Sequence, residues 1–329
     1  MVSIGYHASH EQFPPSELLR LVAAAEEAGF QAVLSSDHWA PWSTRQGHSG
    51  QAWAWLGAAM CQSSLPFGVV TAPGQRYHVA VVAQTVATLA EMYPGRFWPA
   101  LGSGEALNEH ITGDRWPDKP DRDERWDQCA SVVRRLLRGE TVSHDGLVRV
   151  DRARVWTLPA VPPPLLAAAV SEASARRAAG WADGLVTMYR PLDQLRPVIE
   201  GFWEQAGDQK PVHVQVHLSW SPTEEEALAA AHDQWRTNVF GPELMWNLAT
   251  PEEFDAHGER VDRDRVRESV LVSADLGRHR AWMEELGEMG VDRIYLHEVG
   301  RQQRRFIDTF GDNVLPDLVS VTSGVRHPM

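Results

Sequence analysis

The stretch Phe97-Trp98-Pro99-Ala100-Leu101-Gly102-Ser103-Gly104-Glu105-Ala106-Leu107-Asn108-Glu109 decides how the chain is read. Its first part, residues 97–102, is a short apolar run of the kind that forms a strand covered on both faces. Its second part turns polar where the apolar run stops. A doubly wound dinucleotide fold carries G-x-G-x-x-G after its first strand. Here Gly102 and Gly104 are present, but position 107 is Leu, and the run reads as the fourth strand. The fingerprint fails, which favours a closed barrel with polar groups at its strand ends.

Outward from this run the chain alternates strand-like and helix-like segments. Towards the N-terminus, strands are expected at residues 2–6, 31–36 and 67–71. Helices are expected at 15–29, 51–62 and 79–92, the last apolar nearly all round and ending before Tyr93-Pro94-Gly95. Towards the C-terminus the pattern first breaks. Residues 103–125 are polar, contain Pro117 and Pro120, and read as a long loop before a helix at 126–138. Residues 142–150 read as a hairpin turning at Asp145-Gly146. Strands then recur at 165–169, 184–187, 212–219 and 293–297. Helices lie at 171–180, with Ser171 as N-cap, and at 192–205, 223–236, 276–290 and 303–310. Residues 238–265 hold little pattern. About eight strand–helix units imply a parallel α/β sheet closed into one (β/α)8 TIM barrel with insertions, a single domain over residues 1–329.

Composition narrows the function classes. The chain has 329 residues, of which 43% are apolar, and a net charge of −13. So acidic a body repels phosphate backbones, which argues against nucleic-acid binding. Lys119 and Lys210 are the only lysines, so the basic residues are almost all arginine. Cys61 and Cys129 form no C-x-x-C pair, which disfavours a zinc ribbon or a dithiol site. No apolar run is long enough to span a bilayer, and no signal peptide precedes the first strand, so no membrane and a cytoplasmic location are expected.

A barrel of this type places its chemistry at the C-terminal ends of its strands. The second strand ends in Ser36-Asp37-His38-Trp39, with Pro41-Trp42 following. The third ends in Val70-Thr71-Ala72-Pro73, and the fourth in Gly102-Ser103-Gly104-Glu105. His38 can exchange a proton near neutral pH. Asp37 is placed to orient a cofactor or the imidazole. Glu105 follows small residues that admit a planar ligand, and Trp39 and Trp42 could wall an apolar slot. An Asp-His pair after a strand is more often a loop cap, and a Gly-Ser-Gly turn usually just a turn. The fall of three polar clusters on neighbouring strand ends shifts the balance towards a site. His48, in the loop Gln46-Gly47-His48-Ser49-Gly50, is a further candidate over the mouth.

These residues carry a family resemblance. Ser36-Asp37-His38 with Trp42, Arg76-Tyr77, Tyr93-Pro94-Gly95-Arg96 and the run from Gly102 to Glu109 resemble the luciferase-like flavin superfamily, and within it the deazaflavin (F420)-dependent glucose-6-phosphate dehydrogenases. The similarity runs from Gly5-Tyr6 to Gln303-Arg304-Arg305-Phe306. It implies a barrel mouth holding an isoalloxazine-like ring over a bulged or cis-bonded end of the third strand, within Val69 to Ala72. By the resemblance Asp37 contacts the ring, together with Val70, Thr71 and Ala72. His38 takes the substrate hydroxyl proton as hydride leaves, and Glu105 protonates or stabilises the reduced ring. Ser103, Gly104 and Asn108 match ring or tail contacts, and Val170 and Ser171 the cofactor phosphate region. Glu11 and Trp42 fall near the substrate, and relatives are commonly homodimers.

Two departures qualify the match. Positions that hold the sugar phosphate in the relatives are here Pro191, Asp255 and Glu268, with Arg190 and Arg267 beside two of them. Glucose 6-phosphate is therefore not the expected substrate. Val170-Ser171 replaces a Gly-Gly pair whose free N–H groups bind cofactor phosphate. The segments HASHEQF, RQGHSG and FGVV-x-APGQRY also resemble a subgroup thought to have returned to FMN, so F420 and FMN both stand.

The leading expectation is a flavin- or deazaflavin-dependent oxidoreductase moving hydride between the ring and a small organic substrate. The alternative is an FMN-dependent monooxygenase supplied by a partner flavin reductase. A metal-dependent barrel hydrolase lacks the H-x-H ligands such sites use, and a serine hydrolase lacks its G-x-S-x-G elbow. A non-catalytic ligand carrier is the remaining class.

Overall fold

In the computed structural model, which describes residues 2–207 and 210–320, the elements follow the chain in strict alternation at first. β1 (Ser3–Ala8), α1 (Pro15–Glu27), β2 (Val33–Ser36), α2 (Ala52–Gln62), β3 (Phe67–Thr71), α3 (Val79–Met92) and β4 (Phe97–Leu101) form the first half-barrel. Then come α4 (Ala106–Glu109), α5 (Lys119–Leu137) and an outlying hairpin, β5 (Val142–Asp145) with β6 (Arg149–Ala153). Alternation resumes with β7 (Leu166–Ala168), α6 (Glu172–Ala178), β8 (Leu185–Met188), α7 (Leu192–Ala206), β9 (Val212–Ser219) and α8 (Glu224–Trp235). The chain ends in α9 (Pro242–Met245), α10 (Pro251–Gly258), α11 (Arg263–Arg267), β10 (Leu271–Val272), α12 (Leu276–Glu288), β11 (Arg293–Glu298), α13 (Gln303–Asn313) and α14 (Leu315–Ser320).

Eight strands pair in parallel in the order β11-β1-β2-β3-β4-β7-β8-β9, and β9 pairs back onto β11, closing a barrel. β10 takes two residues of β9 beyond the reach of β8, Leu218 and Ser219. The expected (β/α)8 architecture is therefore the one observed. The interior is packed rather than hollow at its lower end. Trp98 on β4 and Tyr295 on β11 fill it, and glycines in register on the neighbouring strands make room. A methyl group at Gly68 would meet the Trp98 ring at 2.1 Å, and one at Gly5 the Tyr295 ring at 2.4 Å. Large residues opposite small ones are how a narrow barrel reaches close packing.

Outside the sheet, α1 follows Pro14, has Pro15 in its first turn and buries Leu18, Leu21, Val22 and Ala25. α13 buries Phe306, Ile307 and Phe310 beside it, with Phe306 and Phe310 ring centroids 4.3 Å apart. Truncating either ring to Ala would cost about 3–5 kcal/mol.

Some expectations need correction. The segment 103–125 is not one loop. It holds α4, a 3-10 turn at His110–Thr112 and the first two turns of α5, which begins at Lys119. Pro120 read as a breaker, but in a first turn its missing N–H has no helical partner to lose, and Asp118 caps the end. Residues 238–265 contain α9, α10 and the start of α11, and α10 has a full Thr250–Glu253 capping box. β10 is two residues long and leaves no pattern to read. The end of β3 is neither bulged nor cis-bonded. Its register with β4 runs unbroken from Phe67↔Phe97 to Thr71↔Leu101, and every peptide bond among the described residues is trans. The single-domain expectation over 1–329 extends into residues outside those described.

Candidate active site

The strand ends open into one cavity of about 1060 Å³, near the upper end of the range of small-ligand sites. Glu11, Asp37, His38, Trp42, Val70, Thr71, Ala72, Ser103, Gly104, Glu105, Asn108, Val170 and Ser171 all line it. His48 does not. Its backbone N–H donates to the Glu11 carbonyl at 3.1 Å, so it props the loop that carries Glu11. Trp39, expected to wall the slot, is also absent from the lining and is 54% exposed.

His38 follows β2 by two residues. Its Nδ1 lies 3.4 Å from Glu11 Oε1, and Trp42 packs edge-on against the ring at 5.0 Å. Ser49 donates to the His38 carbonyl at 2.8 Å, fixing the backbone. Burial, then the charges of Arg76 and His10, holds the imidazole down to about 3, so it is a neutral base at working pH. Glu11, buried and hydrogen-bonded by Ser9 Oγ at 2.9 Å, is pushed up to about 7, chiefly by burial.

Glu105 sits at the start of α4, with Asn108 Nδ2 donating to it at 3.3 Å. Burial, then the nearby carboxylates of Glu11 and Glu109, pushes it up to about 8. It is therefore protonated at neutral pH. Asn108 Oδ1 also accepts from the Trp39 N–H at 2.8 Å, so this side chain ties the β4 end to the β2 end.

Asp37 lines the cavity and is also tied into its wall. Its carboxylate accepts from Trp53 Nε1 at 3.1 Å, Thr71 Oγ1 at 2.9 Å and Tyr77 OH at 3.2 Å, with Arg76 Nη2 3.3 Å away. Most of those bonds fall on Oδ2, and the residue is 3% exposed. It anchors the wall, with Oδ1 accepting from Tyr77 OH alone among the described residues. Thr71 is spent on its own bond to Asp37. Ser171 likewise caps α6 through Ser174 N at 3.3 Å.

Residues that sequence reasoning left without a role complete the lining. Arg76 reaches both Asp37 and Glu109. Lys119, Arg122, Arg190 and Arg265 supply cationic groups. His7, Gln215, His217 and His297 also line the cavity. For Gln215 and His217 a weak signal was available: His213, Gln215 and His217 alternate along β9, the period of one strand face, though that alone marks a polar face and not a site. The three positions that replace phosphate-holding residues do not share one place. Pro191 and Glu268 line the cavity, but Asp255 does not; it accepts from Ser43 Oγ and the Thr44 N–H. Glu268 pairs with Arg265, and Arg267 lies off the lining, 3.8 Å from Glu224.

The wall of Ala72, Gly102, Ser103, Gly104, Ala168 and Ala169 tests whether a flat ring fits. A methyl group at Gly102 would meet no protein atom closer than 3.8 Å, so protein packing does not demand glycine there. The space it leaves belongs to the cavity. Gly104 has φ +87°, a left-handed conformation that turns the chain sharply behind Glu105. Small side chains, one neutral base and one protonated acid suit a tricyclic redox ring. No cluster of three or more His, Cys, Asp or Glu able to hold a metal occurs among the described residues.

Comparison with known proteins agrees with this architecture. Residues 2–293 match the family described as luciferase-like monooxygenase. The chain belongs to that family. A curated relative from Nakamurella multipartita, an F420-dependent glucose-6-phosphate dehydrogenase, is 33% identical over 96% of each chain. The F420-dependent hydroxymycolic acid dehydrogenase of Mycobacterium tuberculosis is 32% identical over 96% of this chain and 88% of its own. The solved structure of an F420-dependent secondary alcohol dehydrogenase in complex with an F420-acetone adduct aligns with a TM-score of 0.87 at 29% identity, over 95% of this chain and 98% of that one. Within the luciferase-like family, this chain thus falls with the F420-dependent oxidoreductases. A monooxygenase from Streptomyces bottropensis shares the fold, with a TM-score of 0.75 at 20% identity.

Proposed function

We propose that this chain is an F420-dependent dehydrogenase that oxidises a small uncharged alcohol, or reduces the matching carbonyl. The observation that carries the reading is the opening of an imidazole held neutral, His38, and a carboxyl held protonated, Glu105, into one cavity with a wall of small residues. F420, rather than FMN, is supported by the full-length relatives near one-third identity. The FMN-dependent monooxygenase reading rests on neighbours that share the fold alone.

When bound, the deazaflavin supplies the two-electron acceptor for hydride. His38 accepts the hydroxyl proton as the carbinol hydrogen leaves with its electron pair. Glu11, at 3.4 Å from Nδ1, orients the ring and stabilises the imidazolium that forms. Glu105 holds a proton against the wall of small residues, where developing negative charge needs one. Ala72, Gly102, Gly104 and Ala168 admit the ring's face, and Trp42 with Phe254, 5.2 Å apart, shields the substrate side from water. Lys119, paired with Asp123, and Arg122 are cations in the lining suited to an anionic tail.

The experiment is anaerobic mixing of the purified protein, F420 and a panel of alcohols, with the deazaflavin's visible absorbance followed in time. Bleaching with at least one alcohol supports the reading. Binding of FMN with oxygen uptake, and no bleaching of F420 by any alcohol or re-oxidation by any ketone, would replace it.

A further inference from the structure

A hydrogen-bond chain runs to another part of the cavity lining, and its partners assign where its protons sit. Gln12 Nε2 donates to the Val299 carbonyl at 2.7 Å, and a carbonyl can only accept, so Gln12 is fixed with its oxygen towards His297. That oxygen lies 2.9 Å from His297 Nε2, which must therefore carry the proton. His297 Nδ1 is then an acceptor, and Gln215 Nε2 lies 3.4 Å from it. Gln215 Nε2 also lies 3.2 Å from His217 Nε2 and donates its second hydrogen there. His217 Nε2 accepts, so in the neutral ring the proton is on Nδ1. Burial keeps both His217 and His297 neutral.

The end of the chain faces the cavity. His217 and Gln215 both line it, and neither His217 Nδ1 nor Gln215 Oε1 has a protein partner among the described residues. Stacking of His7 on His297 at 4.4 Å and packing of Trp235 against His217 at 4.6 Å lock the ring planes. A donor and an acceptor on two residues of one strand face, both lining the cavity, match a hydroxyl group, which accepts and donates at once. A carbonyl would leave the acceptor unmet, and a carboxylate would face the Gln215 oxygen.

We propose that His217 Nδ1–H and Gln215 Oε1 bind a second hydroxyl of the substrate, so that the preferred substrate class is an uncharged diol or polyol, with one hydroxyl at His38 and another at this pair. The inference rests on the alcohol-dehydrogenase reading above and names its substrate class. Gln12 and His297 are positioning residues that set the polarity of the pair, and His7 holds the plane of the His297 ring.

Two measurements test it. Imidazole ¹⁵N chemical shifts of histidine-labelled protein should show His217 protonated on Nδ1 and His297 on Nε2; the opposite tautomer at either ring overturns the proposal. Calorimetry on the F420-loaded enzyme should show diols binding about tenfold more tightly than mono-alcohols of matched size, which is the yield of a hydroxyl satisfied in a buried site. His217→Phe should erase that preference, and His217→Asn, which restores an N–H, should recover part of it, with F420 affinity unchanged in both. Equal affinity for diol and mono-alcohol in the wild-type enzyme, or tighter binding of hydroxy acids, overturns it. If F420 binds but no alcohol is oxidised, the dehydrogenase reading fails, while the ligand preference still decides the subsite.

Discussion

Arg76 Nη2 lies 3.3 Å from Asp37 Oδ2 and its Nε 3.7 Å from Glu109 Oε1, so a single guanidinium, 6% exposed, bridges two buried carboxyls, one just after β2 and one at the end of α4. Its Nη2 also donates to the Asp37 carbonyl at 2.7 Å. Asp37, Glu105 and Glu109 all have raised pKa values, burial being the first cause of each and Arg76 an opposing one. This residue thus limits how far the acids around the cavity are pushed up.

Removing one partner of a buried pair leaves an uncompensated charge and costs about 3–5 kcal/mol. Arg76→Met is expected to lower stability by that amount at neutral pH, measured by urea denaturation. Asp37→Ala should do the same, because it strands Trp53, Thr71 and Tyr77 as well. An Asp37 variant with wild-type stability and lost cofactor binding would give this carboxylate a direct role on the ring.

His38→Ala is expected to lower kcat by about 10²–10⁴-fold, the usual yield of a positioned base. F420 affinity should be unchanged, as read by fluorescence titration. Glu11→Gln should have a smaller effect in the same direction, since it touches the base and not the reacting hydroxyl. Retained turnover in the His38 variant would move the base elsewhere.

The pH profile follows from two groups. Glu105, raised to about 8, carries its proton below that pH and loses it above. Alcohol oxidation should fall as pH passes about 8. Glu11, raised to about 7, becomes a carboxylate above that pH, so kcat/KM should rise through about 7 from the acid side. Glu105→Gln should abolish the alkaline limb while lowering kcat; an unchanged limb would assign it to another group.

Stability should peak near neutrality. His7, His10, His38, His213, His217, His279 and His297 are all held below their ordinary value by burial. Below about pH 6.5 the unfolded chain binds more protons at these positions, so stability falls as pH falls towards about 4. Glu11, Glu105 and Glu298 have raised values of about 7, 8 and 8. The stability they give is present below about 4.5 and is lost as pH rises through those values. Denaturation midpoints across pH 4 to 9 should therefore form a dome, its acid side the steeper.

Much of the site was legible because barrel chemistry gathers where apolar runs stop. Asp37, His38 and Glu105 stand at such breaks, and all three line the cavity. Their different jobs were not legible. Asp37 looks like a ligand by position, and only the convergence of Trp53, Thr71, Tyr77 and Arg76 shows that it also holds the wall together. Gln215 and His217 look like ordinary members of a buried strand, because their meaning lies in contacts to Gln12 and His297 from distant parts of the chain. The helix start at Lys119 was hidden by Pro120, and the short helices after residue 238 by weak periodicity.

The most direct test of the central claim is titration of the purified protein with F420 and, separately, with FMN, followed by addition of alcohols to whichever complex forms. The account predicts micromolar or tighter binding of F420 and loss of its visible absorbance with an uncharged alcohol, abolished in His38→Ala. No binding of either ring, or reduction that proceeds unchanged without His38, would contradict it.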